Sequence, residues 1–447
     1  MENLYDLYAK KLKTVTTDFV RYLYEKINWD SQLIVIMGAR GVGKTTMVLQ
    51  HILMTGTKKE SLYIAADNTY FAANTLYDTA TQFAQQGGKV LYIDEVHKYQ
   101  NWSKEVKMMY DYLPELKVVI TGSSILELIK GTDADLSRRA IRYTLEGLSF
   151  REYLNFSLGL NIPTYTLEQI IEGKVELPDE VKYPLAHFKE YLNKGYFPFF
   201  KQDDYYQRLE NVINQTMEVD IPAYAKMNIS TARKLKQLLY VVSRSVPFKP
   251  NFAEIGRAIS TDRGTVADYM VYMEKSKLIR QLNFAPDGME LVQKVDKIYL
   301  GNTCFIYALA DENPEIGNIR ETFFYCALCV NNKVTASPVA DFLVGGHTFE
   351  VGGKSKKQKQ IKGTEDAFVV KDDIENAYLN ILPLWSFGFT AVLSAYIVVR
   401  IRGTFRIFAK TSLSMLGTIL GILYTIGVIT VIAYANWPEW FRDKNKK

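Results

Sequence analysis

Cysteine is scarce. Three in 447 residues cannot form a disulfide framework in a chain of this size, so a reducing, cytoplasmic setting is the expectation. No export signal is expected either, since the opening stretch MENLYDLYAKKLKTVTTDF carries charge throughout and has no continuous apolar core. No repeat of 20–50 residues and no low-complexity tract is evident. With 48% hydrophobic and 23% charged residues, collagen-like and wholly disordered chains are excluded, and the length suggests about three domains. An excess of positive charge is nearly absent from the body of the chain. The net charge is +5, but residues 390–447 hold eight Lys and Arg against two acids, leaving 46 basic against 47 acidic residues elsewhere. A purely electrostatic attraction to nucleic acid is therefore weak for the body.

The first 150 residues alternate short apolar runs with helical stretches, the pattern of a parallel sheet with crossover helices. Strands are expected at Leu33–Met37, Leu62–Ala66, Val90–Asp94, Val118–Thr121 and near Ile141–Leu145. Residues 151–245 read as helical, with a break at Gly195–Pro198. Residues 246–296 contain apolar positions at helical spacing on either side of STDRG, followed by KLIRQLNF, a helix-turn-helix that leads into a wing. Residues 297–389 read as mixed α+β, and 390–447 as a tail of a different kind.

The decisive motif is GARGVGKTT, which places Gly38, Ala39, Arg40, Gly41, Val42, Gly43, Lys44, Thr45 and Thr46 directly after an apolar strand. Such a string turns backbone N–H groups inward around a polyphosphate. Lys44 is then expected on the β and γ phosphates and Thr45 on Mg²⁺, with the following helix adding its dipole. KVLYIDE puts Asp94 at the carboxyl end of a strand as a second Mg²⁺ group, with Glu95 placed to polarise an attacking water. An adjacent Asp-Glu pair favours hydrolysis over transfer to a second substrate. Thr121, Ser123 and Ser124 end the next strand and are candidates to sense the γ phosphate or orient water, though an ordinary turn also explains them. Arg138 and Arg139 are either transition-state cations or a surface pair bridging local acids. No Asn-Lys-x-Asp string reads guanine, so ATP is the expected nucleotide. His97 lies close to the Asp-Glu pair without an assignable chemistry.

Taken in order, GARGVGKTT, LYIDEVHKYQNW, VVITGSS, DLSRRA and LEGLSFREYL resemble the bacterial and archaeal AAA-like P-loop ATPases that carry a C-terminal domain of unknown function. The likeness continues through DFLVGGHTFEVGGKSKKQKQI and KDDIENAYLNILPLWSFGF, covering roughly residues 5–389. It implies an α/β ATPase core with strand order 5-1-4-3-2, a winged helix and a restriction-endonuclease-like α+β domain. It also gives Lys44, Thr45, Asp94, Glu95, Arg138 and Arg139 their nucleotide-site roles.

An endonuclease-like site needs a carboxylate on one strand and Glu-x-Lys on the next. Glu321, Asp341 and Glu350 are the candidate acids, but Gly352 stands where the lysine belongs, and Lys354 is the nearest substitute on the same strand face. A relic fold used for binding is the expectation, with an ATP-gated nucleic-acid-binding or nuclease protein as the alternative. The basic cluster Lys354, Lys356, Lys357, Lys359 and Lys362 suits phosphate contact or a solvated loop equally, and Cys326 with Cys329 lacks the further ligands of a metal site. In the tail, 28 uncharged residues run from Thr411 to Pro438, with Trp437 and Trp440 at one end. A transmembrane helix at about 412–436 would anchor a cytoplasmic body to the inner membrane, and Gly417 with Gly421 would allow self-association of such helices. Single span and hairpin both remain open, and the sequence names no protein partner.

Overall fold

The computed structural model describes residues 1–284, 295–310, 314–356 and 360–390. The expected membrane span at 412–436 lies outside them, and among the described residues no helix is long and apolar enough to cross a membrane.

Five short apolar runs make the first sheet: β1 (Leu33–Met37), β2 (Ser61–Ala65), β3 (Val90–Asp94), β4 (Lys117–Gly122) and β5 (Ile141–Thr144). They pair in parallel in the order β2-β3-β4-β1-β5, which is the 5-1-4-3-2 arrangement the resemblance implied. All residues of β1 are buried, as a central strand covered on both faces requires. The edge strand β5 leaves Ile141 and Arg142 exposed. Because the strands are parallel, their carboxyl ends lie on one rim. Gly38, Asp94 and Ser123 all fall there.

From Phe150 to Ser245 the chain is helical. The helix Phe150–Leu158 starts with a capping box in which Ser149 and Glu152 satisfy each other's backbone N–H. The expected break near Gly195 takes the form of a π-helical turn, Tyr191–Gly195, before Pro198 starts the next turn. Two helices, Phe252–Ala258 and Arg263–Lys275, are capped by Asn251 and Asp262. An antiparallel ribbon follows, made of β6 (Ile279–Asn283) and β7 (Val295–Leu300).

The last described part packs the helix Ile316–Leu328 on a mixed sheet of β8 (Val334–Ala336), β9 (Phe342–Val344), β10 (His347–Gly352), β11 (Ala367–Lys371) and β12 (Ile381–Pro383). The segment Leu384–Phe389 is entirely buried, and Phe389 meets Phe150 edge to face at 5.7 Å. One apolar core therefore runs from Leu4 to Phe389 through all of these parts.

Candidate nucleotide site

The phosphate loop is shaped by what surrounds it. A Cβ on Gly38 would sit 2.4 Å from the Leu145 carbonyl oxygen, and one on Gly41, whose φ is +78°, would sit 2.6 Å from the Phe199 ring. Only glycine lets the chain pass these two points. Arg21 then pins the loop from behind. Its guanidinium donates to the carbonyls of Val42, Glu146 (2.8 Å) and Gly147 (2.9 Å) and to the Glu152 carboxylate (2.9 Å). Burying a guanidinium is tolerable only when its donors are matched in this way. Arg40 reaches outward to Asp220 at 3.0 Å, tying the loop to the helical region.

Lys44 is buried, and its ammonium donates to the carbonyls of Gly38 (2.8 Å) and Ala39 (2.9 Å). Burial pulls its pKa down to about 8, against the opposing charges of Glu95 and Asp94. Asp94, at the end of β3, accepts from Thr45 Oγ1 (2.6 Å) and the Tyr63 hydroxyl (2.7 Å) on one oxygen. Its other oxygen accepts from the Thr121 hydroxyl and the Glu95 N–H. The two groups expected to serve Mg²⁺ thus touch, and both offer the hard oxygen donors that ion prefers. Glu95 adopts a left-handed backbone (φ 49°), and its Oε2 accepts from Ser123 Oγ at 2.8 Å. Ser123 is therefore held on the candidate general base.

Beside the loop lies a cavity of about 640 Å³. Gly43, Thr45, Thr46 and Asp94 line it together with the apolar side chains of Val15, Phe19, Phe156 and Pro198. Phe19 and Phe156 stack at 4.8 Å. Gln50 fixes the segment before Phe19 by donating to the carbonyls of Thr16 and Phe19, both at 2.8 Å. A partly apolar cavity beside a phosphate cradle suits a nucleotide base.

Residues 30–154 match the AAA domain family. The chain carries an AAA-like P-loop ATPase domain. Residues 185–341 match a domain of unknown function (DUF8612), so the ATPase domain is followed by that second module. An uncharacterized protein of Methanocaldococcus jannaschii, MJ1637, is 25% identical over 312 residues, which is 65% of this chain and 65% of the relative. Among solved structures, the Walker-type ATPase PABY2304 of Pyrococcus abyssi is 13% identical over 67% of this chain and 94% of its own, at a TM-score of 0.37. Cdc6p from Pyrobaculum aerophilum is 11% identical over 67% of this chain and 91% of its own, at a TM-score of 0.23. At those scores neither structure bears on the site.

Other expected site residues fall elsewhere. Arg139 pairs with Asp111 at 2.9 Å and lies over the Tyr110 ring, while Arg138 is exposed. Among the described residues, no hydrogen bond joins either arginine to the phosphate loop. In the C-terminal cluster, Glu321 and Asp341 do converge, but on Lys297, at 3.0 and 3.1 Å. The Tyr299 hydroxyl adds a bond of 2.9 Å to Glu321. The expectation for Lys354 needs correction. Strand β10 ends at Gly352, so Lys354 falls in an exposed turn, and the chain folds back to put Lys356 on Glu350. Burial, together with the nearby charge of Asp341, raises the pKa of both Glu321 and Glu350. Cys326 and Cys329 are free thiols, and no group of three metal-ligating side chains in metal-binding geometry occurs among the described residues.

Sequence reasoning missed Arg21, Tyr63, Asp220 and Lys297, and it read Lys356 only as part of a basic cluster. Of the four, only Tyr63 left a trace. It lies on β2 opposite Tyr92 of β3, two residues short of Asp94, within reach of a long side chain.

Proposed function

We propose that this protein is a Mg²⁺-dependent ATPase that works as a conformational switch, coupled to a winged helix and an endonuclease-like domain that does not cut. The observation that carries the reading is the 2.6 Å contact between Thr45 and Asp94, with Glu95 next in the chain and Lys44 next to Thr45. Lys44 and the loop N–H groups bind the phosphates, and the adjoining cavity, lined by Phe19 and Phe156, offers a seat for the base. Thr45 and Asp94 would hold Mg²⁺, which would supply positive charge against the phosphates. Glu95 accepts a proton from water as the water oxygen bonds to the γ phosphorus. The bond from that phosphorus to the bridging oxygen breaks, and its electron pair leaves with ADP.

Coupling has a covalent and a polar route. The backbone of Glu146 and Gly147 holds Arg21, which holds Val42 of the phosphate loop. The Glu146 side chain in turn pairs with Lys277 (2.8 Å) and Arg280 (3.2 Å) around β6. Burial alone would raise the Glu146 pKa, yet those two cations hold it down at about 2. A shift at the loop therefore reaches the helix-turn-helix segment through one charged residue. The tail remains assigned, on its apolar length, as an anchor placing the body on the cytoplasmic face of the membrane, with self-association through Gly417 and Gly421.

ATP hydrolysis by the full chain tests the reading, with Lys44→Ala and Glu95→Gln as controls. Turnover that survives Lys44→Ala unchanged would overturn it. For the tail, membrane fractionation of the full chain and of residues 1–389 should leave only the shorter form soluble. Recovery of both in the soluble fraction contradicts the anchor.

A further inference from the structure

The His97 side chain is buried at the rim of the sheet, and the nucleotide chemistry above does not use it. It lies in the single turn Val96–Lys98 after β3. Its side chain is 4% exposed, and neither ring nitrogen has a hydrogen-bond partner. A buried donor or acceptor is rarely left unmatched without a reason. The seat for the ring is built into the neighbouring strand, because a Cβ on Gly122 would lie 2.9 Å from His97 Nδ1. On its other edge, Nε2 faces Glu95 Oε2 at 3.5 Å. The same carboxylate oxygen accepts from Ser123 at 2.8 Å.

Three independent features thus converge on one carboxylate: a left-handed backbone at Glu95, the Ser123 hydroxyl and the imidazole of His97. That backbone conformation is one a non-glycine residue adopts only where its surroundings impose it. Burial lowers the His97 pKa to about 4; Asp220 opposes that shift, while Lys98, Arg40 and Lys44 add to it. The ring is neutral near pH 7 and has one N–H to give.

We propose that His97 is a positioning residue for Glu95. Its Nε2–H closes on the carboxylate and, with Ser123, fixes the rotamer from which Glu95 takes the proton of the attacking water. This rests on Glu95 being the general base.

The test compares His97→Phe, which keeps the ring volume without a donor, with His97→Gln, which carries an amide N–H near the position of Nε2. Both are made in the full chain and again on a Glu95→Gln background. In His97→Phe, kcat is expected to fall about 10-fold to 100-fold, part of the 10²–10⁴ that a general base supplies, with KM and calorimetric ATP binding nearly unchanged. His97→Gln should recover most of the loss. On the Glu95→Gln background, His97→Phe should cost nothing further, because the group it positions is gone. If His97→Phe fails to fold, His97→Gln against His97→Asn carries the test, since the shorter amide cannot reach Glu95; equal turnover by those two overturns the proposal. It is also overturned if His97→Phe leaves kcat unchanged, weakens ATP binding in step with kcat, or slows the Glu95→Gln enzyme by the same factor. Equal turnover by wild type and Glu95→Gln, or none by wild type, instead removes the reading on which it rests.

Discussion

Two carboxylate clusters in this chain solve the same electrostatic problem in different ways. At the phosphate loop, Asp94 is buried among neutral donors, the hydroxyls of Thr45, Tyr63 and Thr121 and the N–H of Glu95. In the C-terminal part, Glu321 and Asp341 share the ammonium of Lys297, and Glu350 holds Lys356. Hydroxyl donors stabilise a carboxylate without cancelling its charge, so Asp94 keeps a use for an external cation. Lysine cancels it from within. A list of acids at suitable spacing is therefore not a metal site until the remaining partners are known. That is why the first cluster is assigned to Mg²⁺ and the second is not.

The largest expected effect separates the clusters by activity. Asp94→Asn should reduce ATP turnover at least ~10²-fold, because the Mg²⁺ charge loses its anchor, while thermal or urea unfolding shifts by less than about 1 kcal/mol. Lys297→Met should do the reverse. It leaves Glu321 and Asp341 facing each other without a cation, and a loss of about 2 kcal/mol is expected in urea, below the 3–5 of a fully buried pair because Lys297 is partly exposed; ATP turnover should stay within about twofold at temperatures where the protein is folded. If Lys297→Met instead creates Mg²⁺-dependent stabilisation, the second cluster is a metal site in waiting and the contrast breaks.

Acid should also pull the two regions in opposite directions. His51 and His97 have folded pKa values near 4 because burial disfavours their charged form. The unfolded chain therefore protonates first, and their contribution to stability is lost as pH falls from about 6.5 to 4, by on the order of a few kcal/mol for the pair. Glu321 and Glu350 have raised pKa values. Folding there takes up protons, so their contribution improves as pH falls through the raised folded values toward the ordinary carboxylate range. Unfolding curves between pH 7 and 4 for His97→Gln and Glu350→Gln should deviate from wild type with opposite slopes. The smallest effect concerns the corrected lysine. Lys354→Ala should change stability by less than about 0.5 kcal/mol, whereas Lys356→Ala leaves Glu350 unpaired and should cost about 1 kcal/mol.

How much of this was readable beforehand depended on range along the chain. The strands β1 to β5 were legible because each is a run of four to six residues whose apolar character is local, and the loop Gly38–Thr46 because its chemistry is contiguous. Asp94 and Glu95 followed from the strand before them. The pairings that complete the site are long-range. Arg21 meets Glu152 across 131 positions, and Arg40 meets Asp220 across 180. No local pattern distinguishes those residues from ordinary surface charges. Lys354 was misplaced because a strand was extended past Gly352, where the backbone turns and brings Lys356 back over the glycine instead.

The central claim, that the hydroxyl-ringed carboxylate serves an ATP-hydrolysing centre and Glu95 is its base, is tested most directly by Mg²⁺-dependent ATP hydrolysis of the full chain beside Glu95→Gln. The expected result is measurable turnover by wild type and a rate at least ~10²-fold lower in the variant, with ATP binding of equal affinity in both. Equal rates in the two proteins, or no turnover by wild type in the presence of Mg²⁺, would contradict it.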